Sequence, residues 1–492
     1  MNSIGHSAES TGQKILWTCL ILISCGFIAA LNGAPLYYFD SAGYLENGLK
    51  VLQVLGLVSD PAAAEGGAGA GHAADRIVNG SRSVVYSLFS AASAQFLGAM
   101  AIPLTHLVAV AGVIVFLMRL LVRGLALPGT PMMQVTGLSV LAASLGALPF
   151  FIAYFMPDIL AGLMVLAIAT LTLGWSRMGW WEVLLTLAIG CVAVLSHPSH
   201  LVIAGLMVPL VALAALLVSR RRWWVAPLLV ALMPLAGVGE RLAFSKVAAE
   251  QLDAKVTYFP FLTARMIEDE VGYAYLEENC PNTAIATCAL YDALQLSDDP
   301  YRLTASHIIF EFSGELASFQ RLHPEIQARV AAEQIRFTLW VGLSRPVGTA
   351  MVILRNTFQQ ARMNSIRMTI PEADIAAQIQ AVEGYAAGTF PTGRLVGERD
   401  WIWQLDRAHN VYYVLCLIGL VWLMLWPGRL TREQRVLGLV VLAGILVNAF
   451  VCGAVSQPAH RYGSRMIWLL PFITMALWMM SRHNSRSRPD PA

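Results

Sequence analysis

The stretch LVIAGLMVPLVALAALLV, Leu201–Val218, runs for eighteen residues without a charge and is followed by Arg220, Arg221 and Arg222. A helix of that length can cross the roughly 30 Å hydrocarbon core of a bilayer, and the basic cluster marks the end expected to stay in the cytoplasm. Runs of the same kind recur at 15–34, 104–122, 133–155, 158–175, 181–197, 223–239, 410–427, 435–455 and 465–481. With 201–219 they predict ten transmembrane helices, an all-α polytopic membrane protein. Segment 84–102 is moderately apolar but rich in Ser and Ala, and reads as a helix at the interface.

Composition agrees. Only 13% of the 492 residues are charged and 57% are hydrophobic, whereas soluble domains carry about 25% charged residues. Lys+Arg 33 against Asp+Glu 31 nearly balance, and without a basic stripe nucleic acid is not an expected partner. No P-loop, dinucleotide fingerprint, nucleophile elbow or HExxH motif falls on a suitable element, which argues against a nucleotide-driven pump or a cytoplasmic active site. The first apolar run follows Lys14 without a small-x-small cleavage site, and reads as a retained helix rather than a signal peptide.

Positive charge sets the expected orientation. Arg119 and Arg123, Arg177, Arg220 to Arg222, Arg429, Arg432 and Arg435, and Arg482, Arg486 and Arg488 all fall on one side if ten spans are correct. That side is predicted to be the cytoplasm, holding both termini of a protein in the cytoplasmic (inner) membrane. The outer side then receives the loop 35–103, with a flexible Gly/Ala stretch from Ala62 to Ala74, a long segment 240–409 and the turn Ser456 to Arg465. The expected organisation is an N-terminal membrane module (1–239), an extracytoplasmic segment (240–409) and a C-terminal membrane module with a basic tail (410–492).

Within 240–409, amphipathic helical patterns cover Thr263 to Glu278, Pro324 to Val341 and Pro346 to Met363. The second runs into Leu339-Trp340-Val341 and suits a helix lying on the membrane surface. Cys280 and Cys288 enclose seven residues on the oxidising side and are expected to form a disulfide. The other five cysteines lie in apolar runs, where a thiol behaves as a small hydrophobe.

Four groups at the outer rim carry the candidate chemistry. Asp40 follows the first span among aromatics, where a carboxylate can serve as a base; the plain alternative is a helix cap. Asp158, in Pro157-Asp158, opens a span, a place where an acidic residue is also favoured by the helix dipole. His197-Pro198-Ser199-His200 forms an outer turn whose imidazoles can bind phosphate, shuttle a proton or ligate a metal. Arg461-Tyr462 and Arg465 stand on the outer side against the charge bias, and arginine is the side chain suited to a phosphate oxyanion. Arg76 and Arg82 are further cations there. Glu46, Arg241, Lys246 and Arg265 are expected to be solvated surface.

In order along the chain, these positions resemble the GT-C superfamily of membrane glycosyltransferases, nearest to the protein mannosyltransferase and lipid A aminoarabinose transferase types. Asp40 and Tyr44 match an Asp-x-x-x-Tyr pattern in the first outer loop, and Gly80 to Tyr86 looks like the start of the interfacial helix. Pro157-Asp158 matches a Pro-Asp pair at the start of a later span, and Arg461-Tyr462 before Leu469-Leu470-Pro471 looks like the Arg-Tyr segment ahead of the last helix. The sequence departs from the pattern in three places, one of them the whole segment 240–409, which matches no part of it. Ser41 replaces an acidic residue after Asp40, and histidines stand where a basic residue is usual.

The resemblance implies sugar transfer from a polyprenyl-phosphate carrier to a glycan, lipid or protein acceptor. In it Asp40 is the base, Arg461 with Arg465 and His200 stabilise the departing phosphate, and Asp158 orients substrate or helps hold a divalent metal. Tyr44, Arg82, His197 and Tyr462 complete the binding set, and membrane lipid surrounds it. Two competing expectations are a transporter or flippase for a lipid-linked sugar, and a non-catalytic scaffold of the same fold.

Overall fold

The computed structural model describes residues 9–59, 77–125, 127, 129–218, 221–251 and 255–486. It is 75% helical and holds eight helices long and apolar enough to cross a membrane, so the chain is an all-α polytopic membrane protein. In chain order the helices are α1 (Thr11–Asn32), α2 (Phe39–Val54), α3 (Val84–Leu97), α4 (Ala101–Gly124), α5 (Met132–Ser144), α6 (Leu148–Ala153) and α7 (Ile159–Gly174). Then come α8 (Trp180–Ser196), α9 (Pro198–Val218), α10 (Val225–Gln251), α11 (Phe261–Glu268), α12 (Val271–Asn279), α13 (Thr287–Leu294) and α14 (Ala305–Phe310). The last seven are α15 (Pro324–Ser344), α16 (Pro346–Arg362), α17 (Ala373–Gln380), α18 (Asp400–Leu425), α19 (Arg432–Ala454), α20 (His460–Ile467) and α21 (Leu469–Arg486). The Gly/Ala stretch 62–74, Arg76, Arg220 and Arg488 lie outside the described residues.

Ten full spans were expected, and two fall short. The run 133–155 breaks into α5, 13 residues long, and α6. Pro149, at the start of α6, has no N–H to continue the helix ladder, and the amide of Ala147 donates instead to the Tyr413 hydroxyl, 2.9 Å away. The run 181–197 forms α8, which has 17 residues. Segment 84–102 forms the short α3 and the start of α4. In the polar segment, the helix expected over Thr263 to Glu278 divides at Asp269–Glu270, where Glu270 adopts φ 67°. The boundaries at 239/240 and 409/410 fall inside α10 and α18, so both helices carry the chain out of the apolar zone without a break.

Helix ends follow local chemistry. Ser10 and Gln13 cap α1 reciprocally, and Thr431 and Gln434 do the same for α19. The main core gathers α1 and α4 to α9 with α18, α19 and α21, and α7 is buried along nearly its whole length. A second core closes the segment 259–341 around Phe319, Phe337 and Leu276, and Cys280 and Cys288 form the expected disulfide.

The chain bends by 115° between α15 and α16. Leu339, Leu343, Val347, Met351, Leu354 and Phe358 stand exposed along the pair. Within α16 the four- and three-residue spacing of Val347, Met351, Leu354 and Phe358 makes an apolar ridge, as a membrane-surface helix requires, and Leu339 and Leu343 stand one turn apart at the end of α15. On its other side α16 packs against α19, where Gly453 sits on the backbone of Asn356.

Candidate functional site

Three short connections bring distant parts of the chain to one rim. After α1, Leu36 forms an isolated parallel bridge with Tyr154 between α6 and α7: its amide donates to Ala153 O (2.9 Å) and its carbonyl accepts from Phe155 N (2.7 Å). Ser41 extends the seam by donating to Phe155 O at 2.9 Å. Asp40, in the first turn of α2, is thereby held beside Asp158, the residue that precedes α7. The parallel pairing of Ile77–Asn79 with Lys255–Thr257, together with the Ser81 hydroxyl accepting from Phe259 N at 2.8 Å, fixes the entry to α3 and with it Arg82.

The third connection places the arginines. Gln360 on α16 grips Ala459 from both sides, its amide donating to Ala459 O and its carbonyl accepting from Ala459 N, each at 2.9 Å. Gly463 lies against the carbonyl of Met363 so closely that no side chain could stand there. Arg461 and Arg465 are four residues apart on α20 and so share a face. Pro471 cannot donate to the carbonyl of Ile467, which accounts for the break between α20 and α21.

On that face Arg461 sits between the two carboxylates. It donates to both Asp158 oxygens, at 3.0 and 2.7 Å, and to Asp40 Oδ2. Arg465 donates to Asp158 Oδ1 at 2.9 Å and to Ser199 Oγ at 2.9 Å. Arg82 closes the other side with a 2.7 Å bond to Asp40 Oδ1. His197 Nε2 lies 3.2 Å from Arg461 Nη2. Tyr38 and Tyr462 flank the Arg461 guanidinium at 4.9 and 5.6 Å, where their ring faces favour a cation. Three guanidiniums thus meet two carboxylates, one positive charge in excess. Asp158, Arg461 and Arg465 are buried, while Asp40 and Arg82 keep 26% and 23% of their side chains exposed. The site therefore opens to water on the Asp40 side.

Electrostatics follow from this packing. Burial disfavours the Asp40 carboxylate, but Arg82 and Arg461 outweigh it and hold the carboxyl well below the usual carboxylate range. Burial, reinforced by Arg461, keeps His197 neutral well below the ordinary imidazole value despite the pull of Asp158.

Compared with known protein families, with curated proteins and with solved structures, the chain matches none.

Of the residues singled out in the sequence, Asp40, Arg82, Asp158, His197, Arg461, Tyr462 and Arg465 form this one cluster. Tyr44 stands beside it, one turn beyond Asp40, buried under the Arg82 guanidinium and edge-on to Tyr86. His200 was expected at the phosphate. Its Nδ1 bonds Ala193 O at 2.7 Å and its ring lies 5.1 Å from that of His197, which stands next to Arg461. Arg265 was expected to be solvated; it is buried between Glu268 and Asp269. Glu46 is exposed, and Lys246 forms an exposed pair with Glu250.

A divalent metal does not fit the arrangement, because every oxygen of Asp40 and Asp158 already faces a guanidinium. Among the described residues no three His, Cys, Asp or Glu side chains form another metal-binding group.

Tyr38, Ser199, Asn448 and Cys452 join the site without having been singled out. Asn448, on α19, accepts from Arg465 at 2.9 Å and donates to Tyr462 O at 2.7 Å. An amide inside an apolar run was the available signal, since a polar group there needs a partner. Cys452 is more than a small hydrophobe, with its sulfur 3.2 Å from Arg465 Nη2.

Proposed function

We propose that the chain is a glycosyltransferase that moves a sugar from a polyprenyl-phosphate carrier to an acceptor hydroxyl of a glycan, lipid or protein. We place the reaction at the outer face of the cytoplasmic membrane, with both termini in the cytoplasm. The observation that carries the reading is the shared arginine: Arg461 bridges Asp40 and Asp158 inside a cluster with one surplus positive charge, open to water at Asp40. A surplus cation of this kind, partly desolvated and flanked by aromatic faces, is suited to a phosphate anion.

In the proposed reaction the acceptor oxygen attacks the anomeric carbon, and the bond from that carbon to the phosphate oxygen breaks. Polyprenyl phosphate leaves with the electron pair, and the acceptor proton passes to Asp40. Arg461 and Arg82 hold the phosphate as its charge grows. A carboxylate tied to two arginines is a weak base, because catalytic bases work best with a pKa near ambient pH. An arriving phosphate competes for those same guanidiniums. As it draws them away, Asp40 becomes more basic at the moment the acceptor needs it. Asp158 keeps Arg461 in place with Arg465 behind it, and neutral His197 adds no competing charge. The lipid-linked bond supplies the driving force, so the chemistry needs no nucleotide.

The test is Asp40→Asn in proteoliposomes loaded with a polyprenyl-phosphate sugar and an acceptor extract. The amide keeps the shape and loses the base, and transfer should fall by about a hundredfold or more, with membrane insertion unchanged. Unaltered transfer in this variant overturns the assignment. Passage of the labelled lipid-sugar across the bilayer without any transfer would make the chain a flippase instead.

A further inference from the structure

At the far ends of α7 and α9 the two helices part and leave a cavity of about 360 Å³. Trp175 and Ser176 line it from the turn after α7, Val218 from the end of α9, and Arg221, Arg222 and Trp223 from the turn into α10. α7 begins next to Asp158 and is 16 residues long, so the cavity lies roughly 24 Å along the helix from the Arg461 cluster. That is close to the thickness of the hydrocarbon core, about 30 Å. The cavity therefore sits at the opposite membrane boundary and is no part of the site described above.

The arginines around this boundary divide into two kinds. Arg123 is paired with Glu182, and Arg177 donates to the carbonyl of Gly124. Arg221 and Arg222 have no side-chain partner among the described residues, and the cavity lining contains no acidic side chain. Two adjacent arginines, a serine and two tryptophans thus line one cavity at head-group depth, where tryptophan prefers to lie. Deeper in, Leu173 and Ala215 continue the lining, and the end of α9 exposes Leu213, Leu216 and Leu217.

We propose that this cavity binds an anionic glycerophospholipid. The phosphodiester pairs with Arg221 and Arg222 and accepts a hydrogen bond from Ser176. Trp175 and Trp223 flank the glycerol, and the acyl chains run out over the leucines of α9. A zwitterionic lipid brings its own ammonium group and gains less from two uncompensated arginines. The shared chemistry is a phosphate oxyanion, and the apolar floor commits the site to the lipid form rather than the free ion.

The experiment is native mass spectrometry of the full chain released from mixed micelles of phosphatidylglycerol and phosphatidylcholine with matched acyl chains. The wild type should retain phosphatidylglycerol over phosphatidylcholine by roughly tenfold. Arg221→Gln with Arg222→Gln should abolish the preference. Ser176→Phe, which narrows the cavity and leaves both charges, should lower retention of phosphatidylglycerol; this variant decides the matter if the double variant fails to insert. Excess inorganic phosphate should not displace the lipid. Equal retention of the two lipids by the wild type, undiminished retention by Ser176→Phe, or displacement by inorganic phosphate would overturn the proposal.

Discussion

Two buried arginines organise this molecule in opposite ways. Arg265 pairs with Glu268 and Asp269, three and four residues on in the same chain, and Asp269 also accepts from Arg355 and Asn356 of α16. Two arginines there meet two carboxylates, and the charges cancel. Arg461 instead takes its carboxylates from positions 303 and 421 residues away, and three arginines meet two acids. The first network is local and neutral, a clasp between α11 and α16. The second is assembled from four separate parts of the chain and keeps a surplus charge. Folding alone gives no reason to gather an excess cation at a water-exposed rim, whereas binding an anion does.

The sharpest way to break this contrast is to remove Arg461. Arg461→Gln should lower sugar transfer by about a hundred- to a thousandfold. Asp40 would still hold Arg82 and Asp158 would still hold Arg465, so insertion and thermal unfolding should change little. A variant with transfer intact would reduce the Arg461 cluster to another clasp. Asp269→Ala should do the reverse. It leaves the buried Arg265 with Glu268 alone and Asn356 without its acceptor, and is expected to cost about 3–5 kcal/mol of stability, read as a lower unfolding midpoint in detergent. Transfer per folded molecule should stay within a few-fold.

The smallest effect concerns His197. It remains neutral in the folded protein where a free imidazole, with a pKa of about 6.5, takes up a proton. The unfolded chain therefore binds more protons below that value, and stability should fall as pH drops from about 7 toward 5. His197→Gln should make that slope shallower. A slope of equal size in the variant would assign it to another group.

Much of the membrane part is legible in the sequence because apolar length is a direct physical requirement of a bilayer. The failures are informative. Pro149 breaks a run whose hydropathy is continuous, since hydropathy does not register a missing N–H. Arg265 looks like surface because a helix over its segment shows the partners three and four residues on but not the packing of α16 that buries them. Asp40, Asp158 and Arg461 were readable as a set through their shared side of the membrane. The choice of His197 over His200 was not, because it depends on which imidazole the α8–α9 turn ties to its own backbone. Asn448 is marked only as an amide inside an apolar run, which does not name its partner, and Tyr38 carries no marker of its own and gains a role from its distance to an arginine.

Gln360 gives one last consequence. Its helix lies with an apolar ridge outward and an amide inward, and that amide holds the backbone two residues before Arg461. The ridge and the guanidinium are therefore tied through a single rigid rod. Bilayer thickness or acyl order that tilts the rod must either break two hydrogen bonds or carry the arginine with it.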